Sequence, residues 1–143
     1  MQIFTQLPKY AVLGVVIAGL GLAIAGVFDT GKKFEGVDVR VPELSAVAIQ
    51  GREAFNANCA QCHGKNASGT GNGPPLVHKI YNPGHHSDQA FFIAAKRGVR
   101  RHHWRYGNMA PQPQVKDDQL AAIVKYVREL QVANGITYQP HRM

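Results

Sequence analysis

The chain contains two cysteines, three residues apart in Cys59-Ala60-Gln61-Cys62-His63. Two thiols are too few for a disulfide framework. A closed zinc site needs four ligands. This stretch supplies three, and the adjacent Cys62 and His63 would strain to meet one tetrahedral ion. A redox C-x-x-C of the thioredoxin kind sits beside a βαβ pattern, and none is visible. What remains is C-x-x-C-H, the attachment signature of c-type haem. On one helical turn the two thiols can bond the two vinyl-derived carbons of a single porphyrin. The histidine that follows then lies under the iron and offers it a nitrogen ligand.

The elements that must hold this motif read as helices. Ser45 to Asn58 is predicted as a first helix that runs directly into the cysteines. Ser87 suits an N-cap for a helix through Arg97, with Gly98 as its stop. Asp117 can cap the last helix, where Leu120, Ile123, Val124, Val127 and Leu130 form an i, i+3, i+4, i+7 stripe. No stretch alternates convincingly like a strand. The fold class is therefore all-α, over residues 44–143, with long Gly- and Pro-containing loops that need something central to pack on.

The N-terminal part is a different material. Tyr10 to Phe28 is nineteen residues without a charge. As a helix it spans roughly 28 Å, close to the ~30 Å hydrocarbon core of a bilayer. Residues 1–28 therefore read as an uncleaved membrane anchor. A signal peptide cleaved after Ala25 is the competing reading, because Ala23-Ile24-Ala25 fits the small-residue pattern. Residues 29–43 are charged and broken by Gly31, Gly36 and Pro42, and read as a tether. Such a segment has a typical span of ~20 Å and a full reach of ~50 Å. The alternative is a linker packed on the domain.

With Gly73-Pro74-Pro75-Leu76, Asn108-Met109-Ala110-Pro111 and a terminal amphipathic helix following C-x-x-C-H in that order, the chain resembles the class I cytochromes c over about residues 44–132. The resemblance implies three to four helices around one covalently bound haem c, here preceded by the transmembrane helix. It implies attachment through Cys59 and Cys62, with His63 and Met109 as iron ligands. Pro74 would accept the ring N–H of His63 through its carbonyl, and Leu76 would pack on the porphyrin. Gly69, Gly71 and Gly73 would let the backbone turn tightly there. Phe55, Gly51 and Tyr126 are the candidates for the contact between first and last helices. Rival sixth ligands are His102 and His103, which would give a bis-histidine iron of lower potential. Trp104 is a candidate partner for a haem propionate.

The chain carries 16 Lys and Arg against 9 Asp and Glu. Lys96, Arg97, Arg100, Arg101 and Arg105 cluster before Met109, as propionate partners, a docking face or a solvated surface. No acid–base pair, nucleophile or substrate pocket is evident, so an enzyme is not expected. The expected function is electron transfer by a membrane-anchored monohaem cytochrome, between a quinol–cytochrome c reductase and a terminal oxidase or photosynthetic reaction centre. Acidic patches on redox proteins would be the partners, and nucleic acid would not. Counting positive charges alone would place the C-terminal part inside. Haem c is attached on the outer side of the bacterial inner membrane, which places the domain in the periplasm instead. A fixed subunit of a larger respiratory complex is the alternative, and a haem-based ligand sensor a more distant one.

Overall fold

The computed structural model describes residues 36–140. The apolar run Tyr10–Phe28 and the Ala25 cleavage question lie outside them. Among the described residues no helix is long and apolar enough to cross a membrane.

Helix α1, Ala46–Asn58, starts at Ser45, whose Oγ accepts the Ala48 N–H at 3.3 Å. It buries Ala48, Gly51 and Phe55, one stripe at helical spacing. A short turn of helix, α2 (Ala60–His63), follows at once, hinged at Cys59. Helix α3 covers Asp88–Arg97 and stops at Gly98, whose φ of 75° favours a residue without Cβ. Helix α4, Asp117–Ala133, buries the whole predicted stripe together with Ala122, Tyr126 and Gln131. No strand occurs among the described residues, only the isolated bridges Thr70–Gly73 and Val99–Met109. The all-α expectation holds.

The core is the crossing of α1 and α4. At Gly51 an added Cβ would overlap the Ala122 carbonyl, so the two backbones approach too closely for any side chain. Phe55 and Tyr126, both fully buried, meet edge to face with ring centroids 5.6 Å apart. This is the packing expected of these three residues.

Asp117 is a correction. It is the first residue of α4 rather than its cap, which is Lys116. The Gln119 side chain accepts the Lys116 N–H at 3.1 Å, so the orphan donor is already satisfied. The Asp117 carboxylate turns instead to Lys96, 2.6 Å away, and favours the positive end of the helix.

Residues 36–43, expected within the tether, run along the domain. Val37 N–H donates to Ser68 O at 2.8 Å, and Asn134 pairs with both the N–H and the carbonyl of Arg40. Val39 and Leu44 pack against the core.

Candidate haem-binding site

The cysteine motif occupies the short helix after α1. Cys59 N–H bonds Phe55 O at 2.7 Å, and His63 N–H bonds Cys59 O at 2.9 Å, so the motif is wound as one turn. Gly64 (φ 74°) ends it. Thr70 Oγ1 then donates to Cys62 O at 2.6 Å, and Gly69 N–H donates to His63 O, also at 2.6 Å. Those bonds fold the glycine loop back over the motif. Gly73 passes so near that a Cβ would lie 2.8 Å from Cys62 O, and Gly69 has φ 86°. Gly71 has neither constraint: its φ is not in the positive region and open space surrounds it. The expectation that all three glycines are needed therefore holds for two.

The turn delivers Pro74 O to 2.9 Å from His63 Nδ1. A carbonyl can only accept, so Nδ1 carries the proton and Nε2 keeps its lone pair. The His63 ring is 8% exposed. Burial lowers its pKa, and the Pro74 bond opposes that in part. The imidazole is thus held neutral, in the form that can ligate a metal. At Cys59, burial and then the neighbouring Cys62 push the thiol up to about 11. Reactive redox thiols are shifted the other way.

Met109 reaches the same region from the far side of the sequence. Val99 and Met109 exchange both backbone hydrogen bonds, at 3.0 and 2.9 Å, closing residues 99–109 into a loop. Gln112 N–H bonds Ala95 O at 2.6 Å and ties the end of that loop to α3.

Cys59, His63, Pro74, Leu76 and Met109 line one cavity of about 500 Å³, with Phe91, Leu120 and Ile123 among its apolar walls. That volume is in the usual range for a cofactor site. A neutral imidazole and a thioether facing apolar walls form a donor set suited to haem iron. The residues present therefore fit the group. Cys62 is exposed and stands outside the lining, while His102 and His103 belong to it.

The matching is made by sequence as well. A family model described as Cytochrome c covers residues 48–131. The chain belongs to the cytochrome c family. No match was found among curated proteins or among solved structures. Membership of this class I cytochrome c family implies covalently bound haem c and electron transfer, and Cys59 and Cys62 are present to carry the group.

Two residues considered singly have partners within the chain. Trp104 has one donor, and its Nε1–H goes to Tyr81 Oη at 3.0 Å. Lys96, exposed, pairs with Asp117 and donates to Val115 O at 2.9 Å.

One residue of the cavity wall, Tyr81, and two behind it, Gln131 and Arg128, were not singled out by sequence. Tyr81 lines the cavity and holds Trp104. Gln131, fully buried, donates from Nε2 to Leu76 O at 2.8 Å and Tyr81 O at 3.1 Å. Arg128 bonds Tyr81 O, His86 O, Gln131 Oε1 and Asp88, and lies over the Phe91 ring. Their one sequence signal is a polar pair, spaced i, i+3, flanking the apolar stripe of α4.

Proposed function

We propose that this cytochrome carries a single haem joined through Cys59 and Cys62, with His63 and Met109 as iron ligands. It moves electrons from a quinol–cytochrome c reductase to a terminal oxidase or photosynthetic reaction centre. The observation that carries the reading is the convergence of Cys59, His63 and Met109 on one apolar cavity, with the His63 ring oriented by Pro74.

Haem supplies a reversible one-electron couple at that place. The chain's own residues set its conditions. Pro74 fixes the His63 tautomer and increases the basicity of Nε2. Met109 offers a soft sulfur, which favours reduced iron and raises the potential. Apolar walls from α3 and α4 keep water away and lower the local dielectric. With His63 and Met109 both offered to the iron, no position would be open for a substrate, so the reading is a carrier and not an enzyme.

The membrane anchor and the periplasmic side rest on the uncharged run Tyr10–Phe28 and on where haem c is attached. Arg97, Arg100, Arg101 and Arg105 are exposed. They would steer encounters with acidic redox partners, and those encounters should weaken with salt.

A second reading has a specific observation behind it: His102 and His103 line the same cavity. A potentiometric titration of the purified full-length protein, with and without carbon monoxide, separates the two. One centre at clearly positive potential, indifferent to the gas, is expected. A low potential indifferent to carbon monoxide would replace Met109 by a histidine. Ready carbon monoxide binding would make the protein a sensor. Co-migration with other chains in mild detergent would make it a fixed subunit of a larger complex.

A further inference from the structure

Four histidines stand at the edge of the cavity in two sequence pairs, His85-His86 and His102-His103, and all but His85 belong to its lining. The first pair leaves a tight turn. Asn82 O accepts the N–H of both His85 and His86, at 3.0 and 2.9 Å, and Asn82 Oδ1 accepts Gly84 N–H at 2.9 Å. The second pair sits in the closed 99–109 loop, which Asn108 Oδ1 braces by accepting Arg101 N–H at 3.0 Å. The Trp104–Tyr81 bond joins the two segments.

Their ring nitrogens are arranged as ligands are. His85 Nε2 and His103 Nε2 face each other at 3.3 Å. Two nitrogens bound at the usual ~2.0–2.1 Å to one tetrahedral zinc stand ~3.3 Å apart. Ligand atoms from His85, His86 and His103 all lie within 4.8 Å of one another. The ring of exposed His103 can turn to close the wider spacings. His86 Nδ1 donates to Ile80 O at 2.8 Å, which leaves Nε2 as the atom with a lone pair. A backbone carbonyl fixing the tautomer in this way is the usual support of a metal-bound imidazole. His102 Nδ1 is likewise held, by Arg100 O at 2.9 Å, and its ring is centred 4.2 Å from that of His103.

We propose that His85, His86 and His103 form a second metal site, separate from the haem iron, that takes a borderline divalent transition-metal ion such as zinc. Water or His102 completes the coordination. A bound ion bridges the His85-His86 turn to the loop that carries Met109. The proposal rests on Met109, and not His103, being the iron's sixth ligand.

The charges around the site are positive. Arg128 lies beside His86, and Arg100 and Arg101 flank the second pair. Burial first, then the neighbouring histidines, lower the pKa of His86 and of His103, and Arg128 adds to this at His86. At those two rings this favours the neutral form that ligation requires. Arg128 is paired with Asp88 at 2.7 Å, so the repulsion of a dication comes mainly from Arg100 and Arg101.

The test is calorimetric titration of zinc chloride into the full-length holoprotein at neutral pH, in a buffer that does not bind zinc. One equivalent should bind. His85→Ala, whose residue lies outside the lining of the haem cavity, should weaken binding at least ~10-fold with the haem spectrum unchanged, and His103→Ala should weaken it as much. No binding, or binding that survives the double substitution, overturns the site and leaves the haem reading intact. Carbon monoxide binding that appears in His103→Ala and is absent from the wild type shows that His103 holds the iron, and overturns both.

Discussion

Gln131 offers the sharpest test of how α4 supports the haem cavity. Its side chain is fully buried and uses both ends: Nε2 donates to Leu76 O and Tyr81 O, and Oε1 accepts from Arg128 at 2.6 Å. Gln131→Leu keeps the volume and removes all three bonds. Tyr81 O retains a donor in Arg128 Nη1 at 2.7 Å, and Arg128 retains Asp88 and His86 O. Leu76 O is the group left without a visible partner, and an orphaned buried acceptor costs about 1–3 kcal/mol. Loss of the charge-assisted bond to Arg128 adds to that, and the extra apolar contact of leucine subtracts. The net expectation is about 2 kcal/mol. With a urea m-value of ~1–3 kcal/mol/M, the midpoint should fall by roughly 1 M, read by circular dichroism on the holoprotein. Gln131→Glu should be worse at neutral pH. A carboxylate keeps the Arg128 bond but faces two carbonyls with no proton to give them. Burial would raise its pKa, so its deficit against the wild type should shrink as pH falls through that raised value. A neutral Leu variant, or a Glu variant no worse than Leu, would refute this account of the cavity wall.

Three further outcomes are expected. Met109→Ala should leave haem attached, lower the reduction potential and admit carbon monoxide to the iron; an unchanged spectrum and potential would remove Met109 from the coordination sphere. Gly51→Ala should cost about 2–3 kcal/mol despite alanine's helix propensity, because the obstructing atom is the Ala122 carbonyl and not a movable side chain; a raised unfolding midpoint would contradict the close crossing. At Glu129, burial raises the carboxyl pKa, but the two hydrogen bonds from Ser45 and the Lys125 ammonium outweigh it and hold the group below its ordinary value. A depressed folded pKa contributes stability above the unfolded pKa and loses it as pH falls through the folded one. Glu129→Gln should therefore flatten part of the acid limb of the stability curve below about pH 4.5.

The motif-bearing half of the site was legible because its geometry is local. C-x-x-C-H needs only one helical turn, and the α4 stripe needs only periodicity. Gly51, Phe55 and Tyr126 could be paired because the resemblance to the class I cytochromes c implies a contact between first and last helices, and a glycine there allows close approach. What stayed hidden depends on contacts distant in sequence. Trp104 has a single donor, and nothing nearby in sequence indicates that Tyr81, twenty-three residues back, takes it. Asp117 looked like a cap because its residue type favours one, but the helix begins one residue earlier, with Lys116 as the cap, and the Asp117 carboxylate pairs with Lys96. Gly71 looked necessary because its neighbours are, yet only Gly69 and Gly73 stand where a Cβ is excluded or a positive φ is required.

The 99–109 loop joins the two metal-related features of the domain. The Val99–Met109 bridge places the thioether, and the same closure brings His103 across to His85. The Trp104–Tyr81 bond then fixes the loop to a segment whose carbonyls are held by Arg128 and Gln131 of α4. Support thus runs from the last helix, through Tyr81 and Trp104, to the loop that presents Met109. A thioether is a weak ligand, and in the proposed ligation its hold on the iron would depend on how firmly its loop is held. On that proposal a buried glutamine with no chemistry of its own should affect both stability and the permanence of the sixth ligand.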